Sequence, residues 1–129
     1  MKTLISTIVM VIAFTFNTNA QDKMKHNAIV KTVSLEQTKG AFTQQELTLK
    51  EGSYIFEISN NNVGHQVGFV LIQKGKDASN PENHIKTAYV TKVVDNNTKE
   101  KSKVTLLEKG EYLYFCPMNP TPQYTLTVK

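Results

Sequence analysis

The chain has no arginine and no tryptophan, a single cysteine, and one long apolar run that ends at Phe16. Each shortage excludes something. The 15 basic residues are all lysines, set against 11 acids for a formal net charge of +4. Nucleic-acid readers rely on the arginine fork for guanine and phosphate, so a modest lysine excess argues against that partner. One cysteine forms no disulfide within the chain. Beyond the N-terminus no stretch reaches the roughly 20 apolar residues that cross a bilayer. There is also no glycine-rich phosphate cradle, no paired-carboxylate motif and no nucleophile beside an evident base. No enzymatic activity is expected.

What is present begins with a leader. In 1-MKTLISTIVMVIAFTFNTNAQDK-23, Lys2 precedes an apolar stretch from Leu4 to Phe16, and Thr18 and Ala20 are small residues suited to signal peptidase. These three parts predict a secretory signal peptide over residues 1–20, too short in its apolar part to anchor in a membrane. No cysteine lies near the cleavage site to carry a lipid. The expected location is periplasmic or secreted. Residues 21–40 are expected to form a lead-in and first strand, and residues 41–129 a single domain.

Two-residue alternation dominates that domain. In 45-QELTLKEGSYIFEISN-60, Leu47 and Leu49 share a face, Glu51-Gly52 marks a turn, and Tyr54, Phe56 and Ile58 point one way. This predicts a strand, a turn and a strand. In 65-HQVGFVLIQKG-75 both faces are apolar, which suggests a central strand. Pro81 after Asn80 suggests one short capped helix in 80-NPENHIKTAYV-90, with Ile85, Ala88 and Tyr89 on its apolar stripe. The charged 99-KEKSK-103 reads as a solvated loop or a protected strand edge. Lys109-Gly110 leads into 111-EYLYFC-116, where Tyr112, Tyr114 and Cys116 share a face. The segment 124-YTLTVK-129 alternates again. Short strands between turns predict an all-β, antiparallel β-sandwich.

The order of 60-NNNVGHQVGFV-70, a late Tyr-Phe-Cys, a tight loop and a closing strand resembles the cupredoxins, small exported Greek-key sandwiches that hold type 1 copper. The resemblance runs from Ala41 to Lys129. It implies copper as cofactor, with His65 at the first imidazole position and Cys116 at the thiolate position. It also implies a second histidine about three residues after the cysteine, where Asn119 stands, and an axial methionine about eight after it, where Tyr124 stands. Gln123 is a possible axial stand-in. Type 1 copper takes two imidazoles, one thiolate and a weak thioether, so the ordinary site is incomplete. His26 and His84 are the other histidines beyond the leader, and His84 would have to fold close to complete it.

Met118 offers a partial replacement. His65, Cys116 and Met118 form a soft nitrogen–sulfur–sulfur set that suits Cu(I) better than a blue Cu(II) site. Each also has a structural use. Met118 packs a loop, His65 bonds a loop carbonyl, Cys116 fills the core, and Pro117, Pro120 and Pro122 stiffen the loop. Three readings follow: an exported Cu(I)-binding cupredoxin with an altered site, a metal-free module of the cell envelope, and a one-electron carrier with a rearranged centre. A redox or metal-transfer protein is the implied partner.

Overall fold

Strand alternation decides which residues face inward, and tertiary pairing decides which strands meet. A computed structural model of the chain describes residues 29–129; the expected leader and His26 lie outside them. Strand β1 spans Val30–Thr38 and turns Val33, Leu35 and Gln37 inward. It turns back at Lys39-Gly40 into β2, Ala41–Phe42, where Gly40 takes a left-handed φ of 71°. Glycine carries no Cβ penalty in that region. Next come β3, Glu46–Leu49, and β4, Gly52–Asn60, with Tyr54, Phe56, Ile58 and Asn60 buried on one face of β4. Then follow β5 (Val70–Gln73), β6 (Lys99–Lys101), β7 (Thr105–Leu107), β8 (Gly110–Phe115) and β9 (Tyr124–Val128).

These strands form two sheets. One is four-stranded in the order β3-β9-β8-β5; the other is five-stranded in the order β2-β1-β4-β6, with β7 also on β4. The expected β-sandwich is therefore what forms. Its pairing is not wholly antiparallel, because β9 runs parallel to β3, with Leu126 opposite Leu47. Both turns read as strand connectors carry the chain from one sheet to the other. The strands on either side of Glu51-Gly52 belong to different sheets, and so do those flanking Lys109-Gly110.

The strand with two apolar faces is not central. Val70, Leu71 and Ile72 are buried, yet β5 ends its sheet's order. Its outer edge is covered instead. Ile85 N–H donates to Leu71 O at 2.9 Å, and His84 bridges Ile72. That cover also replaces the expected helix. Asn80 does cap, accepting from Glu82 N–H at 3.0 Å, and Pro81 begins a 3₁₀ turn, Pro81–Asn83. His84 is then extended (φ −75°, ψ 137°), and a second turn, Lys86–Ala88, follows. Pairing with β5 outweighs the weak helical pattern. The lysine-rich 99–101 segment is an edge strand, where charge discourages pairing with another chain.

Between the sheets lies an aromatic core. Phe42 meets Tyr114 edge-on at 5.2 Å and Tyr124 at 5.8 Å, and Phe69 packs on Phe56 at 5.1 Å. Each large apolar side chain buried there contributes about 1.5–3 kcal/mol. The phenols find partners too: Tyr54 Oη donates to Lys50 O and Tyr112 Oη to Glu108 O. Burial, then Tyr124 and Glu46 nearby, push the Tyr114 phenol up to about 12. This core backs one end of the sandwich, where β8 delivers Cys116.

Candidate metal centre

Cys116 follows β8, and the alternation that buries Tyr112 and Tyr114 buries it as well, at 1% exposure. Two backbone groups point at its sulfur. Gly68 N–H donates to Sγ at 3.3 Å and Asn119 N–H at 3.2 Å. The loop folds on itself around the cysteine, whose own N–H donates to Thr121 Oγ1 at 3.0 Å. The sulfur thus accepts hydrogen bonds, a more polar setting than a purely space-filling thiol requires.

Met118 is partly open to solvent, at 43% exposure. Its Sδ lies 3.5 Å from where a Cβ would stand on Gly68. The two sulfurs therefore converge on one glycine. His65 sits three residues before that glycine on an exposed loop, and its Nδ1 lies 2.9 Å from Gln66 O. Its backbone carbonyl accepts from buried Asn60 Nδ2 at 2.8 Å. That asparagine also donates to Val94 O at 3.1 Å and accepts from Val63 N–H at 3.1 Å. Asn96 and Asn97 extend the lacing by accepting from Gly64 and Asn62 N–H. The asparagine-rich turn is thus laced by hydrogen bonds around one buried residue, Asn60, rather than only a break in a strand.

Asn119, at the expected second-imidazole position, is 2% exposed and fully engaged. Its Oδ1 accepts from Gly40 N–H at 2.7 Å, and its Nδ2 donates to Thr38 O at 2.8 Å and to Gln37 Oε1 at 3.1 Å. Gln37, fully buried, donates from Nε2 to Gly68 O at 2.8 Å. The sequence reading missed Gln37 and Gly68. Gln37 left a signal: it is a polar residue on the inward face, in register with Val33 and Leu35.

His84 is occupied elsewhere. Its Nδ1 is 2.6 Å from Tyr89 Oη and its Nε2 is 2.8 Å from Ala78 O. It lines an open cleft with Lys76, Asp77, Phe115, Pro117 and Gln123. The possible axial stand-in Gln123 therefore shares a cleft with His84. Among the described residues, no group of three or more His, Cys, Asp or Glu side chains is placed to hold a metal.

A family model of the cupredoxin-like domain matches residues 6–128. The chain belongs to the cupredoxin-like family. Among solved structures, auracyanin B is similar at 23% identity, with 77% of this chain and 88% of that chain covered at a TM-score of 0.61. Auracyanin A, described as a blue copper protein from the green thermophilic photosynthetic bacterium Chloroflexus aurantiacus, is 20% identical, covering 78% and 99% at a TM-score of 0.62. Reduced auracyanin from Roseiflexus castenholzii is 17% identical, covering 76% and 96% at a TM-score of 0.60. At these identities the likeness shows a shared fold. No curated protein sequence matches the chain. No helix among the described residues is long and apolar enough to cross a membrane.

The family implies copper, and the side chains decide which copper chemistry fits. A type 1 centre asks for two imidazoles beside the thiolate. Here one of those positions is an amide whose oxygen and nitrogen are both spent on the protein. That donor set does not fit a blue centre, and no electron-transfer step follows from it. What the loop does place near Gly68 is a thiol, Cys116, and a thioether, that of the partly exposed Met118.

Proposed function

We propose that this cupredoxin-like protein is exported and takes up Cu(I) through Cys116 and Met118, with His65 as third donor, instead of carrying electrons through blue copper. The observation that carries the proposal is the convergence of Cys116 Sγ and Met118 Sδ on Gly68. Soft sulfur donors select Cu(I), whereas Cu(II) favours nitrogen and oxygen in a tetragonal arrangement. Met118 supplies an accessible edge through which a metal-transfer protein would pass the ion. His65 would join by releasing Gln66 O, which its exposed loop allows. No reaction is assigned to the protein, and export rests on the signal peptide expected at residues 1–20.

The test is a Cu(I) competition titration of the full chain. Cys116→Ser and Met118→Leu should each weaken binding by at least about tenfold, equivalent to about 1.4 kcal/mol. Binding equal to the parent's in both variants sinks the proposal. A strong visible thiolate-to-Cu(II) band would point instead to a rearranged redox centre. The second reading, a metal-free envelope module, is favoured by the fully satisfied amide of Asn119. It gains if neither copper state binds.

A further inference from the structure

We infer that Asn119 and Gln37 form a mechanical clamp that does the tying work of a metal bond, so that the Cys116 loop is shut and shaped without any ion. This is independent of the Cu(I) reading and stands or falls separately. Four chain segments meet in one closed hydrogen-bond circuit. From the loop, Asn119 reaches Thr38 O and Gln37 Oε1 on β1 and receives Gly40 N–H from the β1–β2 turn. From β1, Gln37 reaches Gly68 O. Gly68 N–H returns to Cys116 Sγ, and Asn119 N–H closes on the same sulfur.

Both hydrogens of the Asn119 amide and its oxygen have partners, and Gln37 is bonded through both ends of its amide. A buried polar network is favourable only when its members are satisfied, and then it fixes a unique arrangement. A metal joining two loops does similar work by bonding ligands from each. Here the residue at the second-imidazole position bonds the sheet directly. The position has changed from ligand to strut. The ends it joins are far apart in sequence, residues 37–40 and 119, so it ties the last loop to the first hairpin. Uptake of an ion at the sulfurs would then leave the loop's shape unchanged.

The experiment uses the full chain stripped with EDTA and a Cu(I) chelator. In the parent, the Gly40 amide should exchange on the order of 100-fold more slowly than an open turn amide, although Gly40 itself is exposed. Asn119→Ala should lower Tm by about 8 °C or more. The double variant Gln37→Leu with Asn119→Leu should lose less than the sum of the two leucine singles, because removing both partners leaves fewer orphaned groups. Stripping the parent should leave the slow Gly40 exchange in place, because no ion is part of the hydrogen-bond circuit. The inference is overturned if Gly40 exchanges at the open-turn rate in the stripped parent, if Asn119→Ala melts with the stripped parent, or if the two leucine losses add. Should Asn119→Ala fail to fold, the Gly40 rate in the parent decides alone.

Discussion

Two buried asparagines each hold one of the loops that carry the expected ligands, and they hold them differently. Asn119 ties the 116–124 loop to β1 while its own backbone N–H points at the cysteine sulfur. Asn60 ties the 60–67 loop through hydrogen bonds to the backbone of Val63, His65 and Val94. The cysteine side faces inward with its sulfur oriented, whereas the histidine side is a well-laced loop with an exposed ring. Matching positions in sequence therefore do not amount to a prepared ligand set. A ligand needs partners that aim the side chain as well as a loop that is held in place.

The largest loss of stability is expected at Asn60. Removing its amide leaves buried Val63 N–H without its acceptor and His65 O without its donor. Asn60→Ala should cost about 2–3 kcal/mol in denaturant unfolding, with an unchanged slope. A loss below about 0.5 kcal/mol would mean that water replaces the tie and that the two loops are not held by equivalent anchors.

The strands were legible because inward and outward alternation is local. Tyr54, Phe56, Ile58, Tyr112, Tyr114 and Cys116 all fall on the buried face. Their partners were not legible. Nothing near Lys50 or Lys109 in sequence signals a crossing between sheets, and nothing in the last strand signals its parallel neighbour. Val104 and Leu106 stand exposed while Thr105 and Leu107 turn inward, because pairing with Gly52–Tyr54 fixes the register of β7. At the site, the inward side of Cys116 follows from its alternation with Tyr112 and Tyr114, whereas Asn119 was singled out only by the family resemblance. Gln37 lies more than eighty residues from its partner Asn119, and such a pairing leaves only one local trace, a glutamine in an apolar row.

The cysteine side can be probed through the strand that delivers it. The Tyr114 phenol has a folded value of about 12 against its model-compound value of 10.0, because burial disfavours the phenolate first and the neighbouring Tyr124 and Glu46 add to it. The fold thus favours the protonated form. That contribution is complete below about pH 10 and is lost as pH rises through about 12. Screening holds it below the full 1.36 kcal/mol per pKa unit, so a loss on the order of 1 kcal/mol is expected between about pH 9.5 and 11.5. Tyr114→Phe should show a shallower decline over that window, whatever its offset at neutral pH. Parallel declines in the two proteins would place the alkaline sensitivity in the lysines and other tyrosines.

His65→Ala should have the smallest effect on folding and is the most direct test of the contrast. The ring is exposed and its described polar contact is with the adjoining Gln66 carbonyl, so stability should change by less than about 0.5 kcal/mol. If the imidazole completes a Cu(I) site, the same substitution should still weaken Cu(I) by about tenfold, because removing a donor acts on binding even where the free protein does not use it. A destabilisation above about 1 kcal/mol would make His65 a structural partner of Asn60 and erase the difference between the loops. An unchanged Cu(I) affinity with unchanged stability would leave the two sulfurs as the whole site. The asymmetry would then be complete: one side carries the chemistry, and the other preserves only the loop.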